Sequence, residues 1–71
     1  MKLHYYPETD SLYIELKGNP SVETCEIAEG LNVDFGSDGA VVGLDIDGAS
    51  GKLDLASLEI VALPIASLKA A

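Results

Sequence analysis

The 71-residue sequence contains no arginine and no tryptophan, and it has one cysteine and one histidine. Without arginine there is no guanidinium group to clamp a phosphate or a carboxylate through two parallel hydrogen bonds. The four basic residues are lysines that stand singly along the chain: Lys2, Lys17, Lys52 and Lys69. Because binding of nucleic acid depends on clustered basic side chains, the sequence predicts no direct contact with DNA or RNA. An anionic membrane surface would repel the chain for the same reason.

The single cysteine, Cys25, cannot form an internal disulfide, which excludes a small scaffold held together by disulfides. The first residues contain no apolar signal core, and no run reaches the roughly 18 apolar residues of a membrane helix. These features predict a soluble cytoplasmic protein.

Acidic residues are abundant, with twelve against four basic ones, so the net charge is −8 at pH 7. Such a charge keeps a small protein soluble, and it would attract a basic protein partner mainly by accelerating association. The chain is long enough for one small core only. We therefore predict a single β domain over residues 1–63 and a frayed tail over residues 64–71.

The first hairpin is predicted from alternating apolar and polar residues at 2–6 and 11–16, joined by turn-forming residues. Closing it places Tyr5 opposite Leu12 on an apolar face, as a stable antiparallel pair requires. This hairpin predicts a sheet with one apolar side.

Residues 31–46 form the clearest hairpin. The pair Asp38 and Gly39 is typical of a type I′ turn, in which both central residues have positive φ. That turn predicts Phe35 opposite Val42, and a register centred one residue earlier would preserve the same buried face.

The remaining segments are less regular. Residues 22–27 alternate weakly and are acidic, which indicates an edge strand. For residues 53–63 we favour a short turn followed by an extended segment, with a single helix as the alternative, and Pro64 prevents that helix from continuing.

Together these elements predict a mainly β fold, a small antiparallel β-meander of five to six strands with a short C-terminal turn or helix covering one face. The predicted apolar face comprises Leu3, Tyr5, Leu12, Ile14, Leu31, Val33, Phe35, Val42, Leu44 and Ile46. A lone sheet of this kind needs a cover and carries unpaired edges. Because the apolar tail can cover its own sheet or that of another copy, we predict a homodimer.

The polar face holds the candidate chemistry. His4 and Tyr13 are predicted cross-strand neighbours, but a single histidine without a second histidine or a cysteine nearby makes a poor zinc site. Asp34 and Asp45 would share a face with Asn32 and bind a divalent cation loosely, although solvated acidic side chains explain the same pattern. We therefore assign no catalytic, cofactor-binding or metal-binding residue and expect no enzyme.

Several motifs resemble a known family. They are MKLHYYPETDSLYI at residues 1–14, EIAEGLNVD at residues 26–34, the Asp38-Gly39 turn, and VGLDI at residues 42–46 running into Ala49-Ser50. Over residues 1–63 the chain resembles the small bacterial family called domain of unknown function 2283, with Asp45 where the family usually has glutamate. The resemblance implies a β-rich protein without assigned activity, some of whose relatives look like partners of small toxin-like proteins.

These observations predict a non-enzymatic protein-interaction module that self-associates and neutralises a basic partner such as a toxin-like protein. The alternative is a small metal-binding or enzymatic domain that uses His4, Tyr13 and the face carrying Asp34 and Asp45.

Overall fold

A computed structural model describes residues 1–70. The chain forms five antiparallel strands and one short helix: β1 (Lys2–Tyr6), β2 (Ser11–Glu15), β3 (Glu23–Ala28), β4 (Leu31–Phe35), β5 (Val41–Asp47) and α1 (Ala49–Lys52). The predicted fold class, a mainly β antiparallel sheet with one short helix, is confirmed. Within residues 1–70, no helix has the length and apolar character needed to cross a membrane.

The strands lie in the order β1-β2-β5-β4-β3, so the sheet departs from a consecutive meander at one step. Strand β5, not β3, lies beside β2, and the two predicted hairpins join through this β2–β5 pair. Strand β3 pairs with β4 at the far edge, and all six of its residues are exposed. A central position in the sheet would bury acidic side chains, so the edge suits this strand. The predicted edge location of this segment is confirmed.

The register of the first hairpin agrees with the prediction, with Tyr5 opposite Leu12. In the second hairpin, Val33 lies opposite Leu44 as expected, but the register shifts at the end of β4 and Phe35 lies opposite Val41. The predicted pairing of Phe35 with Val42 is therefore wrong, because a bulge intervenes before the turn.

The turn between β4 and β5 also differs from the predicted type. The carbonyl oxygen of Gly36 accepts a hydrogen bond from the Gly39 amide at 3.0 Å, which makes Ser37 and Asp38 the central residues. Gly39 has a φ of 83°, whereas Asp38 has no positive φ. The type I′ prediction is wrong, since the left-handed residue follows the two central residues instead of being one of them. The carboxylate of Asp38 accepts the Ala40 amide at 3.0 Å and fixes this geometry.

Residues 53–70, called the tail here, form a turn at Leu55 and Ala56 followed by irregular chain that bends at Ala62, where φ is 57°, and joins neither a helix nor the sheet. The carboxylate of Asp54 closes the turn by accepting hydrogen bonds from the Ala56 amide and the Ser57 hydroxyl, both at 3.1 Å. The predicted turn is confirmed, the predicted extended segment after it does not form a strand, and the alternative of a helix over 53–63 is wrong. Ala71, part of the predicted frayed tail, lies outside the described residues.

The core is small, and its buried apolar residues are Leu12, Val33, Val42 and Ala49. Five further members of the predicted apolar face are half-buried: Ile14, Leu31, Phe35, Leu44 and Ile46. Leu3 and Tyr5 also lie on this face, but their predicted burial is wrong, because their side chains are 49% and 40% exposed. Both belong to β1, an edge strand that the tail covers only in part.

Candidate functional site

The polar face of the sheet brings most of the candidate residues into one row. His4 lies opposite Tyr13, Tyr13 opposite Asp45, and Asp45 opposite Asn32, so the row crosses β1, β2, β5 and β4. The predicted neighbourhood of His4 and Tyr13 is confirmed. Asn32, Asp34 and Asp45 also share this face, as expected from the alternation in the second hairpin.

Tyr13 reaches beyond its own row to Asp34. The phenol hydroxyl donates a hydrogen bond to one carboxylate oxygen of Asp34 at 2.7 Å, and the Thr24 hydroxyl donates to the other at 2.5 Å. The bond to Asp34, with burial and further negative charges, raises the pKa of Tyr13 to about 12. Tyr13 is therefore a neutral hydrogen-bond donor at physiological pH and is unsuited to act as a base.

Asp45 and Asp47 lie on the same face and interact with neighbouring side chains. Desolvation, together with the charge and hydrogen bond of Asp47 and the charge of Asp34, raises the pKa of Asp45. Asp47 accepts hydrogen bonds from the Ser11 hydroxyl at 3.2 Å and the Asn32 amide at 3.4 Å. Over residues 1–70, no group of three or more histidine, cysteine, aspartate or glutamate side chains is placed to hold a metal ion.

His4 contributes an aromatic contact. Its ring stacks on that of Tyr6, two residues along the same strand, with 4.2 Å between the ring centroids and 26° between the ring planes. Residues two apart on a strand lie on one face, which explains the contact. The His4–Tyr6 stack stands on the edge strand and forms one border of the polar face.

Asp10 is a hydrogen-bonding centre that the sequence did not reveal. Its carboxylate accepts hydrogen bonds from the Tyr5 hydroxyl at 2.8 Å and from the Ser50 hydroxyl at 2.7 Å and amide at 3.1 Å. The bonds from Ser50 and Tyr5 lower the pKa of Asp10. Asp10 has a φ of 51°, a conformation that aspartate tolerates better than most residues. Through Ser50 it holds α1, and hence the start of the tail, against the first hairpin.

Most of the exposed large hydrophobic side chains lie on β1 and the tail. We call this region the β1–tail surface, and its large hydrophobic members are Leu3, Tyr5, Leu53, Leu55, Leu58, Ile60, Val61, Leu63, Ile65 and Leu68. A groove of about 800 Å³ separates Leu3, Tyr5 and Leu12 from the turn of the tail. A second groove of about 420 Å³ lies between Leu3 and the later part of the tail. The tail therefore lies beside the sheet without filling the space above it.

The accessible area of the whole chain measures this incomplete cover. The chain exposes 5431 Å², whereas a folded monomer of 7.4 kDa exposes about 4,200 Å². The radius of gyration is 13.1 Å, against about 11 Å for a compact domain of this length. Soluble monomers rarely expose contiguous apolar patches of more than a few hundred Å². The arrangement is suited to binding a second apolar surface.

A family model matches most of the chain. The model of a family described as "Protein of unknown function (DUF2283)" matches residues 2–50, which span the five strands and the first half of α1. No curated protein and no solved structure matches the chain. The matched residues cover the whole sheet and leave the tail outside the match.

Proposed function

This chain belongs to the DUF2283 family, and we propose that it is a non-enzymatic interaction module that self-associates and neutralises a basic protein partner. The observation that carries the proposal is the exposed β1–tail surface, on which both the sheet edge and its cover remain open to water. Removing apolar area from water contributes about 25 cal/mol per Å², so this surface favours association.

The size of the surface fits a second copy of the chain. The accessible area exceeds that of a typical monomer by about 1,200 Å². If each copy buried that excess, the dimer would bury about 2,400 Å² in total, within the range of permanent homodimers. Self-association thus supplies the cover that the tail alone does not.

The acidic residues favour a basic protein partner, which would bind away from the β1–tail surface. Glu23 and Glu26 stand on the fully exposed edge strand β3, in a chain with a net charge of −8. Charges of one sign accelerate the encounter with a partner of opposite sign, and salt reduces that acceleration. The non-enzymatic part of the proposal is supported by Tyr13, which keeps its proton, and by carboxylates bonded to neighbouring side chains.

Self-association is tested by sedimentation equilibrium of the full chain and of Leu58→Asp. Leu58 is 73% exposed, so the substitution leaves the core unchanged while placing a charge on the β1–tail surface. We expect twice the mass of one chain for the unmodified protein and a single-chain mass for the variant. Asn19→Asp makes the same charge change on an exposed loop residue outside this surface and should remain dimeric. A single-chain mass for the unmodified protein at high concentration would overturn self-association.

The basic partner is tested by affinity capture from native lysate at low and high salt, followed by kinetics with the purified captured protein. We expect that protein to be basic and its association rate to fall with salt. The variant Glu23→Gln/Glu26→Gln should slow association further at low salt. Recovery of the chain alone, or of a neutral or acidic protein, would contradict this part of the proposal.

A further inference from the structure

We propose that two copies pair edge to edge through β1, antiparallel about a two-fold axis at His4, to form one continuous ten-stranded sheet. The inference rests on the proposed self-association and specifies how the two copies meet. It identifies the occupant of the open edge beside Leu3 and Tyr5 as the same edge of a second copy.

The two edges of the sheet, β1 and β3, differ in their fitness for such pairing. Strand β1 forms five consecutive pairs with β2 without a bulge, and its charged or titratable side chains at the edge are Lys2, His4 and the tyrosine phenols. Strand β3 contains a register shift between Glu26 and Ala28, and its two glutamates would meet those of a second copy. Bulges and charges are the devices that keep an edge strand from pairing. The regular edge is therefore β1.

The outer edge of β1 is open to a new strand. In the part of the chain that the structure describes, no backbone hydrogen bond joins β1 to the tail, and outside its pairing with β2 the strand accepts only the Thr9 amide of the adjoining turn, on the Tyr6 carbonyl at 3.3 Å. Its side chains are also exposed, with Tyr6 at 42% in addition to Leu3 and Tyr5. An exposed edge rich in aromatic and apolar residues is a template for strand addition.

The alternation of side chains determines the register. Directly opposed residues in an antiparallel pair lie on the same face, so a two-fold axis must place one residue opposite itself. An axis at His4 is the choice that pairs all five residues of β1. Leu3 then lies opposite Tyr5 of the partner subunit on the apolar face, and Lys2 opposite Tyr6 of the partner subunit on the polar face. Apolar and aromatic side chains meet, and no acidic pair is created.

The same pairing joins the two exposed apolar surfaces. Leu3 borders both grooves between sheet and tail, so two β1 edges in contact bring the grooves of both copies side by side. The acidic β3 edges then lie at opposite ends of the ten strands, about 43 Å apart at a strand spacing of about 4.8 Å. That separation exceeds the Debye length of about 8 Å at physiological salt, so the two acidic edges barely repel each other.

Disulfide trapping tests the register. In a Cys25→Ser background, His4→Cys places two thiols on opposed residues, whose Cα atoms are about 4.5–5.5 Å apart. That distance lies within the range that a disulfide spans. We expect rapid formation of a covalent dimer under mild oxidation. Lys2→Cys is the matched control, because the two thiols would lie four residues out of register, about 13 Å apart. The double variant Lys2→Cys/Tyr6→Cys should cross-link again.

The outcomes separate this inference from the proposed function. A dimer by sedimentation with cross-linking at residue 4 and not at residue 2 supports both. A dimer whose His4→Cys variant stays reduced, or cross-links no faster than Lys2→Cys, overturns the edge pairing and leaves self-association standing. A single-chain mass defeats both.

Hydrogen exchange of the unmodified protein provides a measurement that does not depend on the folding of a variant. Edge pairing predicts that β1 amides gain protection as concentration rises, while the β3 edge does not. Unchanged exchange in β1 on dimerisation would also overturn the inference.

Discussion

The ring of Tyr13 lies over Gly43, so that the phenol occupies the space that a side chain at residue 43 would need. From this position the hydroxyl donates its hydrogen bond to Asp34 across the intervening strand β5. The glycine in the middle of a central strand is thus explained by the tyrosine above it. Three strands are joined by one side chain.

Gly43→Ala should destabilise the protein, although replacing glycine by alanine within a strand ordinarily stabilises it. An added Cβ would lie 2.6 Å from the Tyr13 ring carbon that bears the hydroxyl, so the ring must move and the bond to Asp34 is disturbed. We expect the free energy of unfolding to fall by about 1–3 kcal/mol in urea denaturation. Gly18→Ala is the control, because nothing lies within 4 Å of its added Cβ. Equal effects of the two substitutions would contradict the steric explanation.

Local pairing was predictable from the sequence, whereas the order of the strands was not. Alternation and turn residues determine which residues of a hairpin oppose each other, as with Tyr5 and Leu12. They contain no information on which hairpin lies beside which, and so β3 could not be located beyond its edge character. The register shift between Asp34 and Phe35 was not predictable either, because two turn registers fitted the same alternation of apolar residues.

The long-range polar contacts were beyond sequence reasoning for a related reason. Asp10 and Ser50 lie 40 positions apart, and neither spacing nor alternation links them before the fold is known. The row of residues from His4 to Asn32 was partly predictable, because the first hairpin pairs His4 with Tyr13 and the second pairs Asp45 with Asn32. Tyr13 lies opposite Asp45 only because β2 and β5 are neighbours in the sheet.

Asp10→Asn should make the stability of the protein less dependent on acid pH. The pKa of Asp10 is lower in the folded state than in the unfolded state, so the ionised carboxylate adds stability above its unfolded pKa of about 3.9. That contribution is lost as the pH falls through the folded pKa. Asparagine tolerates the left-handed backbone and keeps one acceptor oxygen but no charge.

Thermal unfolding followed by circular dichroism from neutral to strongly acidic pH tests this expectation. The difference in Tm between the unmodified protein and Asp10→Asn should be largest at neutral pH and should disappear in strong acid. Glu8→Gln, a turn residue nearby, controls for loss of one negative charge. A difference that stays constant over the whole pH range would show that the charge of Asp10 is irrelevant.

Asp45→Asn should have the opposite effect and stabilise the protein at neutral pH. Burial and the nearby carboxylates raise the pKa of Asp45, so ionisation of this group disfavours the folded state. As the pH falls through the raised folded pKa, the unmodified protein takes up the proton and regains the lost stability. The advantage of the variant should therefore shrink with acidification. The amide of asparagine can also donate a hydrogen bond to Asp47.

Urea denaturation at neutral and acidic pH measures this difference, with Glu59→Gln in the exposed tail as a control of equal charge change. We expect the control to change stability little at either pH. A loss of stability in Asp45→Asn at neutral pH would contradict the argument that burial and the nearby carboxylates disfavour the ionised form.

The thermal stability of the protein should rise with its concentration. If the folded state is a dimer and the unfolded state is not, mass action shifts unfolding to higher temperature as the total concentration increases. For two chains of 71 residues, a tenfold increase should raise the Tm by about 5 °C. Leu58→Asp should abolish this dependence because it charges the β1–tail surface, and Asn19→Asp should retain it. Differential scanning calorimetry at two concentrations measures the shift. A Tm independent of concentration in the unmodified protein would mean that the exposed surface is stable in water without a second copy.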